Sequence, residues 1–231
     1  MNRRYAIYFA PQKHAPWWHF GSHWLGRDEF DDVLLAQPTL PDIAPDEQAL
    51  VTAEPRRYGF HATLKAPFRL SGGHTEQDLL ARLHTLATVL KPVTLSPLQA
   101  SALGNFVALT PAAESAQLQI FAAACVTEVD DLRAPPSAAD LKRRRIDAPD
   151  ARGLELLQHY GYPHVLERFR FHFTLSGAVT AQTQQRLIYA VSPEIDRLNA
   201  LAPLVLDQLC LFVESAPGAA FLRVADVPVG A

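Results

Sequence analysis

Cysteine is scarce in this chain: two in 231 residues, Cys125 and Cys210, each isolated in an apolar stretch. That excludes a disulfide framework and favours two buried thiols in a reducing compartment over a catalytic thiol. Long apolar runs are also missing. No stretch of about 18 apolar residues occurs, so no membrane span is expected. The basic start at Arg3-Arg4 leads into a short apolar run interrupted at Pro11 and Lys13, so no signal-peptide core is expected either. Nor is there a basic excess. The formal net charge of -3 argues against sequence-blind binding of long nucleic acids, although a local basic pocket is compatible with it. The cytoplasm is the expected location.

What is present is an ordinary globular composition, with 48% hydrophobic and 19% charged residues, enough to core one bilobal domain or two small ones; a single bilobal domain over 1–231 is the expected choice. The patterning predicts a strand over 5–10, stopped by Pro11, and a helix over 14–25 carrying Trp17, Trp18 and Trp24. Residues 27–56, broken by Pro38, Pro41, Pro45 and Pro55, read as loop with one helical turn. A strand over 57–65 ends at Pro67. Thr75 and Asp78 form a capping box for a helix to about Leu90. Strands over 92–100 and 106–110 meet at Gly104-Asn105. Helices follow over 113–129, from Ser137 to Arg145, and over 150–160. The pattern then gives a strand over 168–176, a helix from Thr180 interrupted near Pro193, and paired strands over 204–213 and 221–224.

Within this series one unit occurs twice. His61-Ala62-Thr63-Leu64 recurs as His172-Phe173-Thr174-Leu175, 111 residues later, and each is preceded by a phenylalanine, Phe60 or Phe171. A helix follows each, and then a proline that opens a strand, Pro92 or Pro203, 31 residues after its histidine. The repeat units, about 57–111 and 168–225, predict two lobes related by a pseudo-twofold axis.

Strand alternation puts His61, Thr63 and Lys65 on one face, and His172, Thr174 and Ser176 on the matching face with Arg170 and Arg168 behind them. Two histidines, two hydroxyls and flanking cations facing one cleft suit a phosphodiester. One neutral imidazole takes a proton from the attacking water, and the other, protonated, gives one to the leaving oxygen. Thr63 and Thr174 can donate to the non-bridging oxygens as charge builds there. Lys65, Arg170 and, at greater distance, Arg57 are candidate phosphate contacts. Tyr5 and Tyr58 are candidate substrate hydrogen-bond partners, set against packing roles. The chemistry requires no metal and no cofactor.

Two His-x-Thr strands in an internally repeated chain resemble the two-histidine (2H) phosphoesterase superfamily. The strings Arg56-Arg57-Tyr58-Gly59-Phe60-His61-Ala62-Thr63-Leu64-Lys65-Ala66-Pro67-Phe68 and Phe169-Arg170-Phe171-His172-Phe173-Thr174-Leu175 resemble its phosphonate-metabolism-associated branch. The resemblance implies an α+β fold of two antiparallel-sheet lobes with helices outside and the active site between them. It implies that His61 and His172 are the acid–base pair and that Thr63 and Thr174 bind phosphate. More weakly, it implies a cyclic phosphate or phosphonate-derived ester as substrate. The copies differ where Ser176 stands in place of Lys65, and the motif leaves open which histidine is base and which is acid.

Other features have plainer readings. His14, His19 and His23 lack a carboxylate or cysteine at matching spacing, which weighs against a metal site. The three tryptophans are expected in the core rather than stacked on a base. Arg143-Arg144-Arg145 is expected to be a solvated face. Two competing functions remain at this stage. One is an RNA enzyme acting on 2′,3′-cyclic ends or 2′–5′ links, which the acidic charge does not favour. The other is a binding module that senses a nucleotide or phosphonate without chemistry.

Overall fold

The computed structural model describes residues 3–144, 150–201 and 203–230. Strand β1 (Arg4–Phe9) is followed by helix α1 (Pro16–Leu25), the two-residue strands β2 (Arg27–Asp28) and β3 (Val33–Leu34), and helices α2 (Pro45–Val51) and α3 (Ala53–Arg56). The expected loop over 27–56 is therefore more ordered than its prolines suggest. Pro45 occupies the first turn of α2, where a proline has no backbone donor to lose.

Strand β4 (Ala62–Phe68) precedes α4 (Glu76–Val89), whose capping box at Thr75 and Asp78 forms as expected. Strands β5 (Val93–Thr94), β6 (Leu98–Leu103) and β7 (Phe106–Pro111) lead to α5 (Ala116–Thr127), α6 (Ala138–Arg144) and α7 (Ala151–Tyr160). Arg145 and the side chain of Arg143 lie outside the described residues. Strand β8 is only Phe173–Thr174, shorter than the expected 168–176. Helix α8 (Ala181–Leu201) runs straight through Pro193 where an interruption was expected. Pro193 is on the exposed side, so the carbonyl it displaces can be hydrated, while Leu187, Val191, Ile195 and Leu198 hold the other face in the core. Strands β9 (Val205–Leu206), β10 (Gln208–Glu214) and β11 (Phe221–Pro228) complete the chain.

The fold is α+β. One seven-stranded sheet has the order β11-β10-β1-β4-β8-β7-β6, with every pairing antiparallel. It consists of two half-sheets joined where β4 meets β8 through the single pair Ala62↔Phe173. The hairpins are exchanged between the repeats. The β6–β7 hairpin, which follows the first His-x-Thr, pairs with β8 of the second. The β10–β11 hairpin, which follows the second, pairs through β1 with β4 of the first. The helices follow suit, with α4 against β10 and β11 and α8 against β6 and β7. Strands β5 and β9 pair with each other as a separate two-stranded sheet.

The core lies on the helix side of the sheet. Ile7, Phe9, Leu64, Phe171, Phe173, Leu175, Leu209 and Leu211 pack there against Leu79, Leu83, Phe121, Leu187 and Val191. At the centre the rings of Phe60 and Phe173 stack, 4.5 Å apart and 12° from parallel. Helix α1 lies so close that a Cβ on Gly21 would meet the Phe60 ring at 1.9 Å, so only glycine fits there. Trp17, Trp18 and Trp24 are buried; Trp24 donates from Nε1 to the Leu175 carbonyl at 2.8 Å and ties α1 to the end of β8. Cys125 and Cys210 are free, buried thiols, and burial pushes both well above the ordinary thiol range. Among the described residues, no helix is long and apolar enough to cross a membrane.

Candidate active site

The junction of the half-sheets positions the site. Ala62 and Phe173 face each other with their side chains in the core. In an antiparallel pair the flanking residues must then face each other from the opposite side. That sets His61 across from Thr174 and Thr63 across from His172, all four half-buried on the face away from the core. Diagonal positions in such a pair are about 7–8 Å apart, room for one phosphoryl group between the imidazoles.

The two histidines are held alike. Nδ1 of His61 bonds the Gly59 carbonyl at 3.0 Å, and Nδ1 of His172 bonds the Arg170 carbonyl at 2.8 Å, each two residues back. A carbonyl only accepts, so in the neutral ring Nδ1 carries the hydrogen and Nε2 keeps its lone pair. Thr63 Oγ1 lies 3.3 Å from Nε2 of His61. The Gly59 carbonyl is set by a backbone φ of +76° with Glu29 packed against the glycine, so a Cβ there would be both strained and 2.7 Å from Glu29.

Burial is the main cause of a lowered pKa in both rings. His61 is pushed down to about 4, the charge on His172 adding to the effect. His172 is also lowered, with His164 contributing. Both imidazoles are therefore neutral near pH 7 in the free protein.

The floor beside His61 is Tyr8, whose ring stacks on the imidazole at 3.8 Å. Ala6, Ala10, Cys210, Phe212 and Phe221 pack around it. Tyr58 stacks on Phe221 at 5.1 Å and stands 6.1 Å from His61. Phe106 flanks His172 at 5.9 Å. Tyr8 was not singled out from sequence. The available signal was the alternation Arg4, Ala6, Tyr8 in β1, continued by Ala10 just past its end, which puts one large ring between two small residues on a single face.

Several expected contacts are placed elsewhere. Lys65 does not share a face with Thr63. Thr63 pairs with Tyr8 and Lys65 with Ile7, so a bulge at Leu64 takes up one residue and turns Lys65 into the core side. There its ammonium is buried and donates to Asp130 Oδ1 and the Val126 carbonyl, both at 2.8 Å. Ser176 is fully buried, accepting from the Val107 N–H and donating to the Gly177 carbonyl, so its hydroxyl is spent on backbone. Arg57 is tied to Glu214 and the Ala219 carbonyl. Arg168 is paired with Asp150. Tyr5 points into the core opposite Phe68. Arg170 is exposed, and among the described residues its side chain makes no hydrogen bond or ion pair, while its carbonyl orients His172. His14, just before α1, and His19 and His23 on it lie ring to ring, and the described residues hold no group of three metal-ligating side chains.

A family model described as "Protein of unknown function (DUF1045)" matches residues 63–222. The chain belongs to this family. The matched range takes in Thr63, His172 and Thr174 and begins two residues after His61. The chain is also 37% identical over 229 residues to a "Ribose 1,5-bisphosphate phosphokinase PhnN" of Janthinobacterium sp. (strain Marseille), covering 97% of this chain and 50% of the relative. A protein of the same name from Laribacter hongkongensis (strain HLHK9) is 36% identical over 94% of this chain and 50% of its own length. The chain thus spans about half the length of these curated relatives. Among solved structures, Usb1 of Kluyveromyces marxianus with uridine monophosphate aligns over 96% of this chain and 98% of its own at 12% identity and a TM-score of 0.36, a likeness too slight to carry any argument about function.

Proposed function

We propose that this DUF1045 chain is a metal-independent 2H phosphoesterase that hydrolyses a small cyclic or linear phosphodiester in phosphonate metabolism. The observation that carries this reading is the four-residue constellation at the β4–β8 junction, where two histidines with matched Nδ1 anchors flank two threonines on one face. The phosphorus sits between the two Nε2 atoms. One Nε2 takes a proton as the water oxygen bonds phosphorus. The other, protonated, donates to the ester oxygen as its bond to phosphorus breaks. Thr63 and Thr174 donate to the non-bridging oxygens. His61 is the more enclosed ring and the harder to protonate, which suits the base; His172 then acts as the acid.

The relatives' names concern a phosphorylated ribose, which fits a phosphate-ester role for the half they share with this chain. Kinase chemistry finds no support in the sequence, which contains no Gly-x-x-x-x-Gly-Lys-Ser/Thr phosphate loop.

The test is hydrolysis of two phosphodiesters in the presence of chelator, one with an alkoxide and one with an aryloxide leaving group. His61→Ala is expected to abolish turnover of both. His172→Ala is expected to abolish the alkyl ester and to retain part of the aryl activity, because a weakly basic leaving group needs no acid. Full activity of either variant on the alkyl ester would reject the mechanism.

A further inference from the structure

At the start of β1 and the end of β4, a cavity stands out by the charge of its wall. A half-open cavity of about 30 Å³ is lined by Arg4, Arg69, Arg133 and Arg144, with Asp140 the one carboxylate in its wall. By the usual ~10–15 Å³ per buried water this is room for two or three waters, about what the terminal oxygens of a phosphoryl group displace.

The arginines do more than brace the fold. Leaving Arg144 aside, five cations of this region (Arg4, Arg57, Lys65, Arg69 and Arg133) share three carboxylates, Glu214, Asp130 and Asp140. Arg57 and Lys65 do not line the cavity; among the described residues its wall holds four guanidinium groups and one carboxylate, with the partners Glu214 and Asp130 outside the lining. Donors are left over as well. Arg69 bonds Asp140 through Nη1 alone, and Arg4 bonds Glu214 through Nε and Nη2, so among the described residues Nε and Nη2 of Arg69 and Nη1 of Arg4 make no hydrogen bond. Arg133 and Arg144 are held in place by the carbonyls of His159 and Gly161, which ties both guanidinium groups to the C-terminal end of α7.

One wall residue of the cavity, Arg4, shares a strand row with the catalytic face. Arg4, Ala6 and Tyr8 follow one another on one row of β1, and Tyr8 carries His61 on its ring. Arg4 lies over the Phe221 ring at 5.7 Å, and Phe221 packs on Tyr8 at 6.3 Å. The hydroxyl of Tyr8 is within electrostatic reach of Arg4 and Arg144. At about 3.3 Å per residue, Arg4 and Tyr8 are about 13 Å apart at Cα; side-chain reach closes part of that gap, leaving the span of one sugar unit.

We infer that the Arg4–Arg69–Arg133–Arg144 cavity is a second anion subsite, so that the substrate is a sugar-sized phosphodiester bearing a separate phosphomonoester. This rests on the phosphodiesterase reading and adds the class of substrate. Guanidinium groups suit a terminal phosphate because they present paired N–H donors to its oxygens.

The experiment compares two esters, a ribose cyclic phosphate with and without a 5-phosphate, and separately measures binding of ribose 5-phosphate by calorimetry. In the wild type the added phosphate is expected to raise kcat/KM by about a hundredfold, the scale of two charge-assisted hydrogen bonds. Arg69→Gln is expected to cut that ratio at least tenfold and to weaken ribose 5-phosphate binding to match. Ala134→Glu, which puts a carboxylate into the cavity wall, provides an independent second variant and is expected to abolish ribose 5-phosphate binding. Equal kcat/KM for the two esters, with ribose 5-phosphate binding unchanged in both variants, would overturn the subsite. Binding lost in the variants, with neither ester hydrolysed by wild type, would sustain the subsite and sink the catalytic reading.

Discussion

The imidazole of His61 lies on the phenol ring of Tyr8, centroids 3.8 Å apart and planes 24° from parallel. With the Gly59 carbonyl on Nδ1, this stack holds the ring in one orientation and points Nε2 toward the Thr63 hydroxyl. Tyr8 is a positioning residue in the proposed mechanism. Tyr8→Phe keeps the ring and should retain most of kcat. Tyr8→Ala should lower kcat by about a hundredfold, since misplacing a catalytic group by about 1 Å is enough for that. Loss of kcat with KM unchanged is the signature to look for; equal effects of the two substitutions would mean that the hydroxyl, not the ring, matters.

The pH–rate profile follows from the lowered pKa values. Catalysis by the pair needs one ring neutral and one protonated. With His61 near 4 and His172 below its ordinary 6.5, that population peaks between the two in the free enzyme. The profile of kcat/KM should therefore be bell-shaped with its maximum on the acid side of 6.5, provided chemistry limits the rate. A maximum at alkaline pH would contradict the assignment.

Stability should depend on the same groups. His61 is lowered on folding, so between about 6.5 and 4 the unfolded chain binds the proton more readily. Stability is fully present above 6.5 and is lost as pH falls toward 4. His61→Gln should flatten that part of the Tm-against-pH curve. Wild type and variant curves that stay parallel through this window would show that His61 does not titrate there.

Lys65 should matter for folding rather than for phosphate. Its ammonium is buried against Asp130 and the Val126 carbonyl; without it Asp130 keeps Arg133, but the buried carbonyl loses its donor at a cost of about 1–3 kcal/mol. Lys65→Met should lower Tm while leaving KM for a phosphodiester near the wild-type value. A large rise in KM without loss of stability would return Lys65 to the site.

Ser176 invites the same contrast. Ser176→Ala strips the Val107 N–H of its acceptor and should cost about 1–3 kcal/mol. Denaturant unfolding measures this directly, and kcat should be unchanged.

The sequence by itself determined what depends on local pattern. Period-two alternation put His61 with Thr63 and His172 with Thr174, and the capping box at Thr75 opened α4. Tertiary structure decided the rest, because it depends on contacts between residues distant in the chain. The bulge at Leu64 exists only in the pairing of β4 with β1, and it alone sends Lys65 to the core. The exchange of hairpins between the halves is a choice of strand partners that no local pattern encodes. The arginine cavity gathers Arg4, Arg69, Arg133 and Arg144 from separate stretches of the chain, and their common charge becomes visible only once the fold has brought them around one space.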